Sequence, residues 1–248
     1  MSGHSKWASI KHKKAATDAK RGKMFTKLIK EVTIAARHGG GDLNANPSLR
    51  TAIDRAKQAN MPADNIDRAI KKGTGELEGV SYEEFTIEGY GPGGVAIMVE
   101  LLTDNKNRTT ADIRSIFSKK NGSIAGAGSV SWMFEKKGYI EIDKSTVSED
   151  KIMSIVLDAG AQDMETGEDV YSITTDPKDF EAVKKAIEDN NIKPNSAEIT
   201  MIPKSTVQLT GDDAKNVLGL MEVLEDHDDS QNVYANFDIP DELLNRES

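Results

Sequence analysis

The apolar positions of this chain keep two different periods. From residue 17 to about 78 they recur every three to four residues, the spacing of one helical face. Phe25, Leu28, Ile29, Val32 and Ala36 make the first stripe, with Thr17 placed to cap it and Gly39, Gly40 and Gly41 to end it. Asn46-Pro47 predicts the next helix start, with Leu49, Ile53, Ala56 and Ala59 on its apolar face. Pro62 opens a third helix through Ile66, Ala69 and Ile70, closed by Gly73. Three short helices of this kind predict a small bundle with a thin core. The polar, glycine-rich stretch 73–80 (GTGELEGV) then marks a domain boundary.

Beyond it the period drops to two. Phe85 and Ile87, the turn Gly91-Pro92-Gly93-Gly94, and then Val95, Ile97, Val99 and Leu101 predict a hairpin. A helix follows on Ile113, Ile116 and Phe117, stopped by Asn121-Gly122, and Val130, Trp132 and Phe134 alternate as a strand. A strand at 139–142 leads to a helix capped by Ser148, with Ile152, Ile155, Val156 and Ala159 inward. After a strand at 170–174, Asp176-Pro177 starts a helix on Phe180, Val183 and Ile187, followed by a strand at 199–202. With a further strand at 162–166 the order becomes β-α-β-β-α-β, which is ferredoxin-like. The chain closes with a strand at 206–209, a helix along Ala214, Val217, Leu218, Met221 and Leu224 opened by Asp212 and Asp213, and a strand at 231–237.

The expected fold is thus α+β and multidomain. An N-terminal helical bundle over residues 1–78 is followed by two ferredoxin-like α/β domains, one inserted in the other. Residues 79–135 plus 205–248 form the discontinuous domain, and 136–204 the insert.

Composition narrows the functional classes. At 248 residues the chain is long enough for two or three cores. It has no cysteine, which removes disulfides and thiolate metal sites and points to a reducing, cytoplasmic setting. No apolar run approaches a bilayer span, and the basic amino terminus lacks a secretory apolar core, so it reads as mature protein.

Charge changes the picture most. The first thirty residues hold nine lysines and arginines against the single acid Asp18. Residues 1–80 carry a net +8 and residues 81–248 a net −17, within a formal −9. A polyanion would therefore be met basic end first, and the basic block gains by neutralising phosphates and releasing their counterions. Trp7, His4 and His12 are interleaved with the lysines, which suits stacking on bases. A solvated, solubilising tail is the plainer alternative. The candidate nucleic-acid contacts are Lys6, Trp7, Lys11, His12, Lys13, Lys14, Lys20, Arg21, Lys23 and Lys27, with Lys106 and Arg108 from the segment Asn105-Lys106-Asn107-Arg108-Thr109. That segment serves either as loop and capping chemistry, with Asn107 as the cap, or as a second phosphate contact if the bundle folds back toward it.

Other chemistry finds little support. The glycines at 91–94 and 126–128 precede no lysine-serine or lysine-threonine pair, so no nucleotide-hydrolysing loop is predicted. The 122–129 loop could still approach a phosphate through its backbone amides. Glu225, Asp226, Asp228 and Asp229 surround His227 without the glycine and closing glutamate of a calcium loop, and read as a solvated helix end. Lys137-Gly138-Tyr139 echoes an RNA-recognition strand, spoiled by Glu141. No nucleophile, base and orienting group fall together, so neither an enzyme nor a metal or cofactor is expected.

Several segments together resemble the YebC/PmpR family. They are Gly3-His4-Ser5-Lys6-Trp7, Ile10-Lys11-His12, Lys14-Ala15-Ala16 and Asp18-Ala19-Lys20-Arg21-Gly22-Lys23, then Met61-Pro62, Asp64-Asn65-Ile66, Arg68-Ala69-Ile70 and Gly73-Thr74-Gly75. The match resumes at Glu88-Gly89-Tyr90-Gly91-Pro92-Gly93-Gly94, Thr103-Asp104-Asn105, Asn107-Arg108-Thr109 and Gly128-Ser129-Val130, and covers essentially the whole chain. Ala63 stands where members often carry lysine or another polar residue. The resemblance implies three domains, one helical and two α/β. It also implies either a DNA-binding transcriptional regulator of the cytoplasm or a ribosome-associated, RNA-binding translation factor related to the mitochondrial translational activator of cytochrome c oxidase. The partner expected is nucleic acid, DNA or ribosomal RNA, with the ribosome behind it and no membrane. With no dimerisation stripe in the helices, a monomer is expected.

Overall fold

The computed structural model describes residues 18–79 and 81–239, with only the backbone at 18–21. Helices α1 (Asp18–Gly39), α2 (Pro47–Gln58) and α3 (Ala63–Thr74) form the bundle. Val32, Ala36, Leu49, Ile53, Ala56, Ile66 and Ala69 make its core, with Phe25, Leu28, Ile29 and Ile70 packed at the edge. Small side chains dominate, so the helices approach closely. A Cβ on Gly73 would lie 2.4 Å from the Thr33 carbonyl oxygen, so this glycine sets the α1–α3 approach. It does not close α3, which runs on to Thr74 and ends on Gly75 in the left-handed region at φ 85°. Asn46 is buried between two helix ends. Its side-chain oxygen caps α2 by accepting from the Leu49 amide at 3.0 Å, and its nitrogen donates to the carbonyls of Ala35 and Gly40 at 2.8 Å each.

The first sheet contains β1 (Glu83–Tyr90), β2 (Ala96–Thr103), β3 (Ser123–Ile124) and a strand from far along the chain, β9 (Ser230–Ala235). Its order is β3-β1-β2-β9, every pair antiparallel. Helices α4 (Lys106–Lys119) and α7 (Gly211–Asp226) cover one face, burying Ile97, Val99, Leu101, Ile113, Phe117, Val217, Leu220 and Leu224. Each such side chain contributes about 1.5–3 kcal/mol on leaving water. The N-cap of α4 is Asn105 rather than Asn107, because Asn105 keeps extended backbone and its oxygen accepts from the Arg108 amide at 3.1 Å.

The alternation at Val130, Trp132 and Phe134 does not make a strand. Residues Ser131–Met133 form a tight turn instead, with Trp132 66% exposed. The amides of Gly128, Val130 and Ser131 all donate to the Glu88 carboxylate, at 2.8, 2.6 and 2.9 Å, and so are not available to a ladder.

The second sheet starts at β4 (Phe134–Asp143) and adds β5 (Asp163–Thr166), β6 (Val170–Thr175) and β7 (Ser196–Pro203), with α5 (Glu149–Asp158) and α6 (Phe180–Asp189) on one face. Its order, β5-β6-β4-β7, and its antiparallel pairs are those of a ferredoxin-like β-α-β-β-α-β unit. The first sheet matches it in four antiparallel strands and two helices but has its sequential hairpin at the centre. Asp176-Pro177 makes a turn, with the Asp179 amide on the Asp176 carbonyl, so α6 begins three residues late. A separate cluster of Ala96, Met98, Val130, Phe134 and Tyr234, with Met133 and Met201, joins the two sheets. Strand β2 is therefore buried on both faces. A parallel pair, β8 (Val207–Gln208) with β10 (Phe237–Asp238), closes the fold.

Candidate nucleic-acid interface

Three lysines one helical turn apart, Lys23, Lys27 and Lys30, project from α1 onto the end of α7. Lys23 donates to the Asp226 carbonyl at 3.1 Å, Lys27 to that of Glu225 at 2.5 Å, and Lys30 to that of Asp228 at 3.0 Å. The last carbonyls of a helix lack intrahelical donors and carry the negative end of its dipole. Lys23 and Lys27 of the bundle supply missing donors at Asp226 and Glu225, and Lys30 serves the Asp228 carbonyl just past the helix.

Asp229 is the hub of this contact. One carboxylate oxygen accepts from Lys30 at 2.6 Å. The other accepts from Thr109 at 2.7 Å, Arg108 at 3.0 Å and Thr103 at 3.1 Å, and its peptide carbonyl takes the Leu102 amide at 2.8 Å. Burial alone would push its pKa up, but the Lys30 ammonium, the Thr109 hydroxyl and the Arg108 guanidinium outweigh this and hold it well below the usual carboxylate range. Asp229 therefore does not belong to a solvated helix end, as its acidic neighbours suggested. It is 5% exposed. Arg108 also pairs with Asp104 at 2.9 Å, and the Lys30 ammonium sits 6.0 Å from the centre of the Tyr82 ring. Burial, then the charges of Asp104 and Asp229, raise the Tyr82 phenol. Around these groups lies an open cleft of about 540 Å³, lined by both signs of charge.

Of the residues singled out from sequence, Lys6, Trp7, Lys11, His12, Lys13 and Lys14 lie outside the described residues, and Lys20 and Arg21 are described only as backbone in the first turn of α1. Lys23, Lys27 and Arg108 meet across the bundle–sheet contact. Lys106 stands apart, 4.9 Å over the Phe85 ring. The bundle does fold back toward the 105–109 segment, and the anion it finds there is Asp229. The 122–129 loop likewise has an internal anion. Burial would raise the Glu88 carboxyl, but the Val130, Gly128 and Ser131 amides hold it below its ordinary value. Lys30, Thr103, Tyr82 and Asp229 were not singled out for this role. The usable signal was the match between the 23-27-30 lysine spacing and the acidic run 225–229.

Among the described residues no group of three or more histidine, cysteine, aspartate or glutamate side chains is placed to hold a metal, and no helix is long and apolar enough to cross a membrane.

Comparisons with known proteins agree along the whole chain. Residues 5–76 match the family model described as the TACO1/YebC protein N-terminal domain, and residues 82–237 the one described as the TACO1/YebC second and third domain. A relative from Desulfatibacillum aliphaticivorans, named "Probable transcriptional regulatory protein", is 59% identical over 98% of this chain and 99% of its own. One from Geobacter sulfurreducens with the same description is 59% identical over 99% of both. The crystal structure of a conserved hypothetical protein from Aquifex aeolicus superposes with a TM-score of 0.83 at 50% identity, covering 94% of this chain and 97% of that one. The chain belongs to the TACO1/YebC family, whose relatives here carry the name "Probable transcriptional regulatory protein".

Proposed function

We propose that the protein is a non-enzymatic, nucleic-acid-binding regulator of gene expression that meets its target through the basic end of the chain. The observation that carries this reading is the segregation of charge, +8 over residues 1–80 against −17 over the rest. Lys23 and Lys27 are already held by the end of α7 and Lys30 by Asp228 and Asp229 just after it, so phosphate contact falls to the amino-terminal cations Lys6, Lys11, Lys13 and Lys14, with Lys20 and Arg21 following them in the chain. The exposed Lys57, Arg68 and Lys72 of α2 and α3 extend the basic surface of the bundle. Residues 1–78 then form the basic domain, 79–135 with 205–248 a discontinuous α/β domain, and 136–204 an insert, a division supported by the sheet that pairs β9 with β2.

The names of the relatives favour DNA and transcription. One observation favours RNA and translation. Helix α1 has its apolar stripe against α2 and α3 and its lysines against α7, so it is not presented as a free recognition helix for a major groove. A basic arm carrying Trp7 and His12 suits irregular RNA instead. Co-sedimentation with ribosomes at near-physiological salt, with excess duplex DNA present, separates the two. Migration with ribosomes makes translation the working function, retention on DNA restores the transcriptional regulator, and absence from both overturns nucleic-acid binding.

A further inference from the structure

We propose that Tyr90 and Trp132 form a stacking platform for unpaired nucleobases, on a loop of the first α/β unit remote in sequence from the basic arm. This rests on the nucleic-acid reading above and adds a second, uncharged site to it. Trp132 is the most exposed large apolar side chain among the described residues, at 66%, and Tyr90 is the other exposed aromatic, at 38%. They are 42 positions apart, yet both point their donors at one atom. The Tyr90 hydroxyl and the Trp132 indole N–H each donate to the Ser129 carbonyl, at 3.2 and 3.0 Å. Their polar ends are thereby satisfied by the protein itself, at its surface, while Trp132 and part of Tyr90 stay exposed.

The platform is rigid for a stated reason. The Glu88 carboxylate ties down the amides of Gly128, Val130 and Ser131, the Glu88 carbonyl takes the Ala125 amide at 2.8 Å, and Gly128 supplies the left-handed turn at φ 83°. A pre-ordered pair of rings loses little freedom when a flat ligand settles on it. Exposed aromatic rings are costly to keep in water, and among the described residues Trp132 stays largely uncovered and Tyr90 partly so. One cation stands next to the loop: Lys204 is exposed, and its amide donates to the Met133 carbonyl at 2.9 Å. Exposed rings beside a lysine form a pattern by which proteins hold single strands with little preference for sequence. Duplex bases keep their faces stacked and offer the platform nothing.

The test uses full-length protein carrying Trp7→Phe, so that Trp132 is the sole tryptophan. Fluorescence is followed while unstructured oligo(U), oligo(dT) or a duplex of equal length is added. Quenching of Trp132 by either single strand, and not by the duplex, is the expected result, and which strand quenches more identifies the target. Trp132→Ala should weaken single-strand binding about tenfold or more at fixed salt, leave duplex binding and the salt slope unchanged, and not alter the melting temperature. Trp132→Phe should retain most of the affinity, since it keeps a ring and loses only the N–H; a merely structural role for that hydrogen bond would make it as weak as alanine. Single-strand binding by the Trp7→Phe protein with no quenching, and no loss in Trp132→Ala, overturns the platform alone. No binding of any nucleic acid by the wild type overturns it together with the function it rests on.

Discussion

Asp229 shows how one side chain can join a helical bundle to the edge of a sheet. Its carboxylate receives Lys30 from the bundle and Thr103, Arg108 and Thr109 from the edge of the first sheet, in a nearly dry position. Replacing it by alanine leaves the Lys30 ammonium, itself almost buried, without its counter-charge. Asp229→Ala should cost about 3–5 kcal/mol in chemical denaturation, the range for breaking a buried pair from one side. Arg108→Ala should cost far less, because that side chain is 49% exposed and its charge is screened by solvent. The pH dependence follows from the sign of the shift. The folded-state pKa of Asp229 is lowered, so its stabilisation is complete above the unfolded value near 3.9 and is lost as pH falls below it. Glu88 is shifted the same way and adds to the same window. Wild-type protein should therefore lose stability steeply below about pH 4, and Asp229→Asn should flatten that limb. An acid limb unchanged by the substitution would remove Asp229 from this role.

Elements are built here from local rules where a helix is exposed on one side, and from tertiary demands where it is not. The close crossing of α1 and α3 needs a missing side chain at Gly73, so Gly73→Ala should destabilise by about 1–3 kcal/mol through overpacking, seen as a lowered melting temperature. The stripes of α1, α2 and α3 were legible because each helix has one wet face, and the β-α-β-β-α-β order of the second sheet followed from clean alternation between its helices. The role of Gly73 was not legible, since a glycine near a helix end looks the same whether it stops the helix or admits a neighbour. The turn at 131–133 was missed for a related reason. Val130, Trp132 and Phe134 alternate as a strand would, but the Glu88 carboxylate, more than forty residues away, takes the amides a ladder would need. The cap of α4 moved from Asn107 to Asn105 because two similar residues compete for one position and only backbone geometry separates them. Likewise the acidic run at 225–229 matched the lysine spacing of α1 but did not show which member would be buried: Asp229 is, while Asp226 and Asp228 stay exposed.

At the scale of the molecule, a basic bundle is latched to an acidic body by part of its own charge. Lys23, Lys27, Lys30 and Arg108 serve that latch, so the proposed contact with an outside polyanion rests mainly on the amino-terminal lysines, with the exposed Lys57, Arg68 and Lys72 beside them. Arg108→Ala should thus weaken nucleic-acid binding less than Lys11, Lys13 and Lys14 changed together to glutamate, as read by titration of a labelled oligonucleotide. In the proposed encounter the acidic remainder would turn the basic end toward a polyanion first.

The most direct measurement is the affinity of wild type and of that triple glutamate variant for one labelled nucleic acid across a range of salt. Each phosphate contact adds roughly 0.7–0.9 to the slope of log affinity against log salt. The wild type should show a steep slope, and the triple variant, unchanged in melting temperature, should lose about three contacts from it and most of its affinity. Equal slopes and equal affinities in the two proteins would contradict a basic arm that grips phosphate.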